Sequence, residues 1–189
     1  KGGIESILIT SPVVTAQGME RLMTLNARIP DLMVVVDSTE NARALASRAS
    51  EAGRMLKVLV DLDVGLHRTG IRPGEDAMEL AELLDAAEFL DLRGLQAYAG
   101  HLMHIHDFAE RREKSLAAMK VLGEQRDALK AAGMCCDIVS GGGTGSSQRS
   151  PVYASRQLQP NPLPWSASVA FHEELDCAEQ TPPCRHGLL

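Results

Sequence analysis

The sequence predicts an α/β fold of repeated β-α units around a parallel sheet. Three observations lead there. Short β-branched runs alternate with Ala-, Leu- and Glu-rich helical stretches from residue 4 to about residue 145. Several runs are apolar throughout, as strands covered on both faces require. Polar residues gather directly after the strand ends, the edge where α/β folds build active sites.

Taken in order, strands are expected at residues 7–10 (ILIT), 33–37 (MVVVD), 56–63 (LKVLVDLD), 92–98 (LRGLQAY) and 137–140 (DIVS). Helices are expected between them at about 16–28, 39–52, 74–86 and 110–132, the last opening on a charged turn and closing at Gly133. By pattern alone a closed barrel and an open doubly wound sheet fit equally well. The polar groups at strand ends are Ser11, Asp37-Ser38, residues 63–68, residues 98–101 and residues 141–146.

After about residue 150 the character changes: six prolines, little periodicity and no sixth clear β-α unit. Residues 151–189 therefore read as an irregular tail and 1–150 as the folded domain. A closed parallel barrel takes about eight strands, so five strands and a tail read as a barrel cut short.

Composition narrows the functional classes. With 44% hydrophobic residues but no apolar run of membrane-spanning length, and no signal-peptide pattern at Lys1-Gly2-Gly3-Ile4, a cytoplasmic protein is expected. The net charge of −6 is dispersed, and no Lys/Arg stripe interleaves with aromatics, so neither membrane nor nucleic acid is an expected partner. Cys135, Cys136, Cys177 and Cys184 lack C-x-x-C spacing and read as reduced thiols.

Three motifs carry candidate chemistry. Ser140-Gly-Gly-Gly-Thr-Gly-Ser146 follows a strand, and its glycines let successive backbone N–H groups converge on an anion, with hydroxyls from Thr144 and Ser146. A turn is the bland alternative; a P-loop is excluded because no Gly-Lys-Ser/Thr follows. Asp61-Leu-Asp-Val-Gly-Leu-His-Arg-Thr-Gly70 ends a strand in charged residues. Arg68 suits an anionic ligand oxygen or, equally by residue type, a salt bridge to Asp61 or Asp63, and His67 reads as a packed or hydrogen-bonded loop residue. Residues 94–107 place Tyr98 at a strand end, suited to stacking on a flat cofactor. His101, His104 and His106 beyond it read as solvated loop residues rather than metal ligands, because no zincin spacing is present.

Together VLVDLDVGLHRTGI, GLQAYAGHLM and CDIVSGGGTGS, in this order and spacing, resemble the D-threonine aldolase and D-serine dehydratase family of pyridoxal-phosphate enzymes. That family shares its barrel with the alanine racemase N-terminal domain. The resemblance spans about residues 4–147 and implies a (β/α)8 TIM barrel, present here as about five units. It implies that Arg68 meets the cofactor's phenolic oxygen, that Tyr98 faces the pyridine ring, and that Gly143, Thr144 and Gly145, with Ser146, hold the phosphate.

It further implies a lyase acting on D-3-hydroxy amino acids as small-molecule substrates, with pyridoxal 5'-phosphate as electron sink and a divalent metal in the full-length family. The departures also matter. The family's Schiff-base lysine lies on a strand upstream of Lys1, and Lys1, Lys57, Lys114, Lys120 and Lys130 do not match its motif. Metal ligands are not seen either, since His172-Glu-Glu-Leu-Asp176 and Cys184-Arg-His186 lack the family context; the last echo of the family is Gln157-Leu-Gln-Pro160. The expectation is a catalytically silent piece of such an enzyme, with homodimer formation open for the full-length protein. A non-catalytic pyridoxal-phosphate homeostasis-type barrel, or an alanine racemase-like enzyme, is the alternative.

Overall fold

The computed structural model describes residues 6–143 and the backbone of a short strand at Ala170–His172. Five strands run parallel: β1 (Ser6–Ile9), β2 (Asp31–Val36), β3 (Leu56–Asp61), β4 (Leu90–Tyr98) and β5 (Ile138–Gly142). Between them lie α1 (Ala16–Asn26), α2 (Thr39–Ala52), α3 (Glu75–Ala86) and α4 (Phe108–Ala131), with a 3-10 helix at Gly100–His104. β6 (Ala170–His172) pairs antiparallel with β5 inside the region expected to be irregular.

Helix limits follow local chemistry. Ser38 caps α2 by accepting from the Asn41 N–H at 3.3 Å, and Gly53 ends it in the left-handed conformation. Asp107 caps α4 by accepting from the Glu110 N–H at 2.7 Å, which starts the helix at Phe108 rather than at Glu110. Gly74, at the start of α3, has no capping side chain of its own. The buried Gln125 of α4 accepts from its N–H at 2.7 Å instead.

The strands lie in sequence order, β1 to β5. Right-handed crossovers in consecutive order carry every helix to the same side, without the reversal that defines a doubly wound sheet. The packing agrees. Alternate strand residues, such as Val34, Val36, Val58, Val60, Leu95 and Ala97, form one core with Leu22, Leu45, Leu80, Leu84, Leu122 and Leu129 of the helices. The result is a half-barrel with its helices outside.

The inner face is stratified along the strand direction, because side chains of period two line it in rows. At the amino ends it is ionic: Lys57 pairs with Asp31 at 2.6 Å, Ser6 donates to the same carboxylate, and Arg93 reaches Asp91 at 3.5 Å and Asp137 at 3.1 Å. In the middle it is apolar, with Leu8, Met33, Val35, Leu59 and Ile138 in contact. At the carboxyl ends it is polar again, with Asp61, Gln96 and Ser140.

A β-bulge at Arg93 shifts the β3–β4 register, since Leu92 faces Val58 but Gly94 faces Leu59. Gly94 is required there. Its φ is 146°, and a Cβ at this position would run into the carbonyl oxygen of Ile138 on β5.

Candidate functional site at the carboxyl edge of the sheet

Neighbouring strands bring Asp61, Gln96 and Ser140 into one row, Asp61 opposite Gln96 and Gln96 opposite Ser140. All three are buried, at 2%, 4% and 3% exposure. Burial pushes the Asp61 carboxyl up to about 6. A hydrogen bond from Thr69 and the charge of Arg68 oppose the rise, while Asp37 and Asp63 add to it. The Oε1 of Gln96 has no hydrogen-bond partner among the described residues.

The loop after β3 carries Arg68 and is folded back on its own strand. The Ile71 N–H donates to the Asp61 carbonyl at 2.8 Å, and the Asp63 N–H donates to the Ile71 carbonyl at 2.9 Å. Asp63 organises the turn: its Oδ1 accepts from the N–H groups of Gly65 and His67 at 2.9 and 3.0 Å, and its Oδ2 meets His67 Nδ1 at 2.6 Å. Burial works against ionisation of Asp63, but these bonds hold its carboxyl below the ordinary range. His67 takes a left-handed φ of 54° within this cage. Beyond Arg68, Thr69 donates to Asp61 Oδ2 at 3.0 Å and the Gly70 N–H to Asp37 Oδ2 at 3.2 Å.

Held between these anchors, the Arg68 guanidinium lies over the Tyr98 ring, 5.2 Å from its centroid. The ring is 39% exposed and also lies against Gly100, where any Cβ would collide with it. The Ala99 N–H donates to the Gly142 carbonyl at 3.0 Å, which ties the Tyr98 segment to the start of the glycine run on β5. Gly143 lies beside Met103 of the 3-10 helix.

Two of the expected site residues, Arg68 and Tyr98, are thus in direct contact, and Gly143 follows Gly142, which faces Tyr98 across the sheet. Thr144, Gly145 and Ser146 lie outside the described residues. The salt-bridge alternative for Arg68 is corrected: among the described residues no carboxylate is within ion-pair distance of it, and Asp63 bonds His67 instead. His67 is the hydrogen-bonded loop residue expected.

The histidine segment is corrected in part: Gly100–His104 is a 3-10 helix rather than an open loop, while His104 and His106 are exposed as expected. Leu102 is buried in that helix, and the Nδ1 of His101 is buried with no hydrogen-bond partner among the described residues. The roles of Asp37, Thr69 and Gln96 were not foreseen. Asp37 and Thr69 had strand-end positions as their only signal; Gln96 had its two-residue spacing from Tyr98 on the same strand.

The sequence profile of the alanine racemase N-terminal domain matches residues 3–160, and the chain belongs to that family. It is 36% identical over 146 residues to a 3-hydroxy-D-aspartate aldolase of Paracoccus denitrificans (strain Pd 1222), covering 77% of this chain and 38% of the relative. It is 34% identical over 160 residues to a D-threonine aldolase of Arthrobacter sp, covering 82% and 41%. Among solved structures, D-threonine aldolase from Filomicrobium marinum superposes with a TM-score of 0.73 at 35% identity, over 76% of this chain and 39% of that one. The chain therefore spans about two fifths of the length of the curated aldolases it matches.

Proposed function

We propose that this chain is the cofactor-binding half-barrel of a pyridoxal-phosphate lyase acting on D-3-hydroxy amino acids, by aldol cleavage or by dehydration. The observation that carries the reading is Arg68 stacked over Tyr98 at the carboxyl edge, one strand from a glycine run, in a chain related to aldolases.

The residues suit the cofactor. Gly142, with a φ of 99°, leads out of β5 into Gly143, and in this reading Gly143, Thr144, Gly145 and Ser146 cradle the phosphate. Arg68 offers a permanent cation to the phenolic oxygen, and the half-exposed Tyr98 ring forms a wall for the pyridine. When bound, the cofactor supplies an electron sink for the bond broken at the substrate's α-carbon.

What the chain's own residues contribute is binding and orientation. Among the described residues, Lys57 is paired with Asp31 at the opposite end of the sheet, and Lys114, Lys120 and Lys130 lie on α4. No described lysine stands at the site. No three His, Cys, Asp or Glu side chains converge among the described residues, so no step is assigned to a metal. Among the described residues, no helix is long and apolar enough to cross a membrane.

Equilibrium dialysis of the whole chain against pyridoxal phosphate, followed by borohydride trapping and peptide mapping, tests the proposal. Binding that Arg68→Ala weakens about tenfold or more is expected, and the peptide map shows which lysine, if one, is trapped. Binding indifferent to both Arg68→Ala and Tyr98→Ala would overturn it.

A further inference from the structure

The geometry points to Asp61 as a positioning residue, whose buried carboxylate sets the turn that presents Arg68 to Tyr98 and to an anionic ligand oxygen. This inference rests on the proposed role of Arg68. Closing the loop on its strand does not need the Asp61 side chain, because the main-chain bonds between Asp61, Asp63 and Ile71 already do so. The carboxylate is directed instead to Thr69, the residue after Arg68, through a 3.0 Å bond. A charge 2% exposed with, among the described residues, a single hydroxyl donating to it is costly to retain for stability alone.

Three carboxylates bracket Arg68 with different tasks. Asp63 holds His67 on one side; Asp37 holds Gly70 on the other; Asp61 holds Thr69 and is the one whose field acts on the guanidinium from a buried position. Buried charges interact strongly because little water screens them. The turn should therefore sense whether Asp61 is ionised. The charged groups acting on Asp61 are Asp37 after β2 and Asp63 and Arg68 on the loop; His67 faces Asp63, Tyr98 at the end of β4 faces Arg68, and His101 after β4 lies beside Gly65 of the loop. Among the described residues, β5 contributes Ser140 to the row.

The test follows the Nε–H resonance of Arg68 by heteronuclear NMR in the whole chain across the pH range around 6, without cofactor. The wild-type resonance should move with a midpoint near 6, and His67→Gln should keep that midpoint. Asp61→Asn should abolish the midpoint and displace the resonance at neutral pH, and Thr69→Val, which cuts only the hydrogen bond, should displace it while leaving the midpoint. An Arg68 resonance unchanged in Asp61→Asn, or a midpoint removed by His67→Gln, overturns the assignment. Should Asp61→Asn fail to fold, an undisplaced resonance in Thr69→Val overturns it. Because no cofactor is present, this outcome is independent of whether the chain binds pyridoxal phosphate.

Discussion

Arg68, on the loop after β3, and Tyr98, at the end of the adjacent β4, meet as a cation over an aromatic face, 5.2 Å from guanidinium carbon to ring centroid. At a half-exposed site such a contact is worth about 0.5–1 kcal/mol. Tyr98→Phe should therefore leave stability in urea unchanged, and Tyr98→Ala should lower it by about 1 kcal/mol. Pyridoxal-phosphate affinity, measured by dialysis, should fall clearly in Tyr98→Ala and little in Tyr98→Phe, because the ring and not the hydroxyl forms the wall.

Gly94 sets a second expectation. A Cβ there meets the Ile138 carbonyl, a backbone atom that cannot turn aside, at a φ that side chains rarely adopt. Gly94→Ala should separate β4 from β5 and cost about 3 kcal/mol or more, seen as a large fall in the thermal midpoint by circular dichroism.

Asp61 makes stability depend on pH in an unusual direction. Its folded value of about 6 lies above the ordinary 3.8, so between these values the folded state binds more protons than the unfolded one. Stability from this group is full below about pH 4 and lost as pH rises through 6. Asp61→Asn should hence stabilise the chain by about 2–3 kcal/mol at pH 7.5, a gain that vanishes near pH 4. Urea unfolding at the two pH values measures it.

Asp31 behaves in the opposite sense. Burial works against its ionisation, but hydrogen bonds from Lys57 and Ser6, with the charges of Lys57 and Arg93, hold its carboxyl below the ordinary range. Its contribution is present above the ordinary carboxylate value and lost as pH falls through the lowered one. Both partners are about one third exposed, so Lys57→Met should cost only about 1 kcal/mol at neutral pH, and less in acid.

The two adjacent thiols should differ in reactivity. Burial pushes the Cys136 thiol up to about 12, whereas Cys135 is half-buried and donates to Asp137 at 3.3 Å. Alkylation of the native chain near pH 8, read by peptide mass, should modify Cys135 well before Cys136, and denaturant should remove the difference.

Much of this was legible in residue order. Helix α2 was read to its last residue because Ser38 and Gly53 are local signals. Arg68, Tyr98 and the glycine run stood out because strand ends carry polar groups. Strand starts were less legible: β2 begins at Asp31 and β4 at Leu90, since the ionic row and partner strands extend them past their apolar runs. The 3-10 helix was missed because its two histidines, His101 and His104, mask the apolar contacts of Leu102. The latch on Arg68 was hidden for a related reason. Asp37 and Thr69 act across a loop closure that only the folded backbone creates.

The stratified inner face has an electrical consequence. Lys57 and Asp61 lie four residues apart on β3, about 13 Å at the rise of a strand, with the apolar storey of Met33, Val35, Leu59 and Ile138 between them. That storey sets the two charged plates apart, and the groups that act on Asp61 belong to the upper one: Thr69, Asp37, Arg68 and Asp63. Substitutions in the lower plate can change how firmly the half-barrel holds together and leave the protonation of the upper plate, and the aim of Arg68, almost untouched.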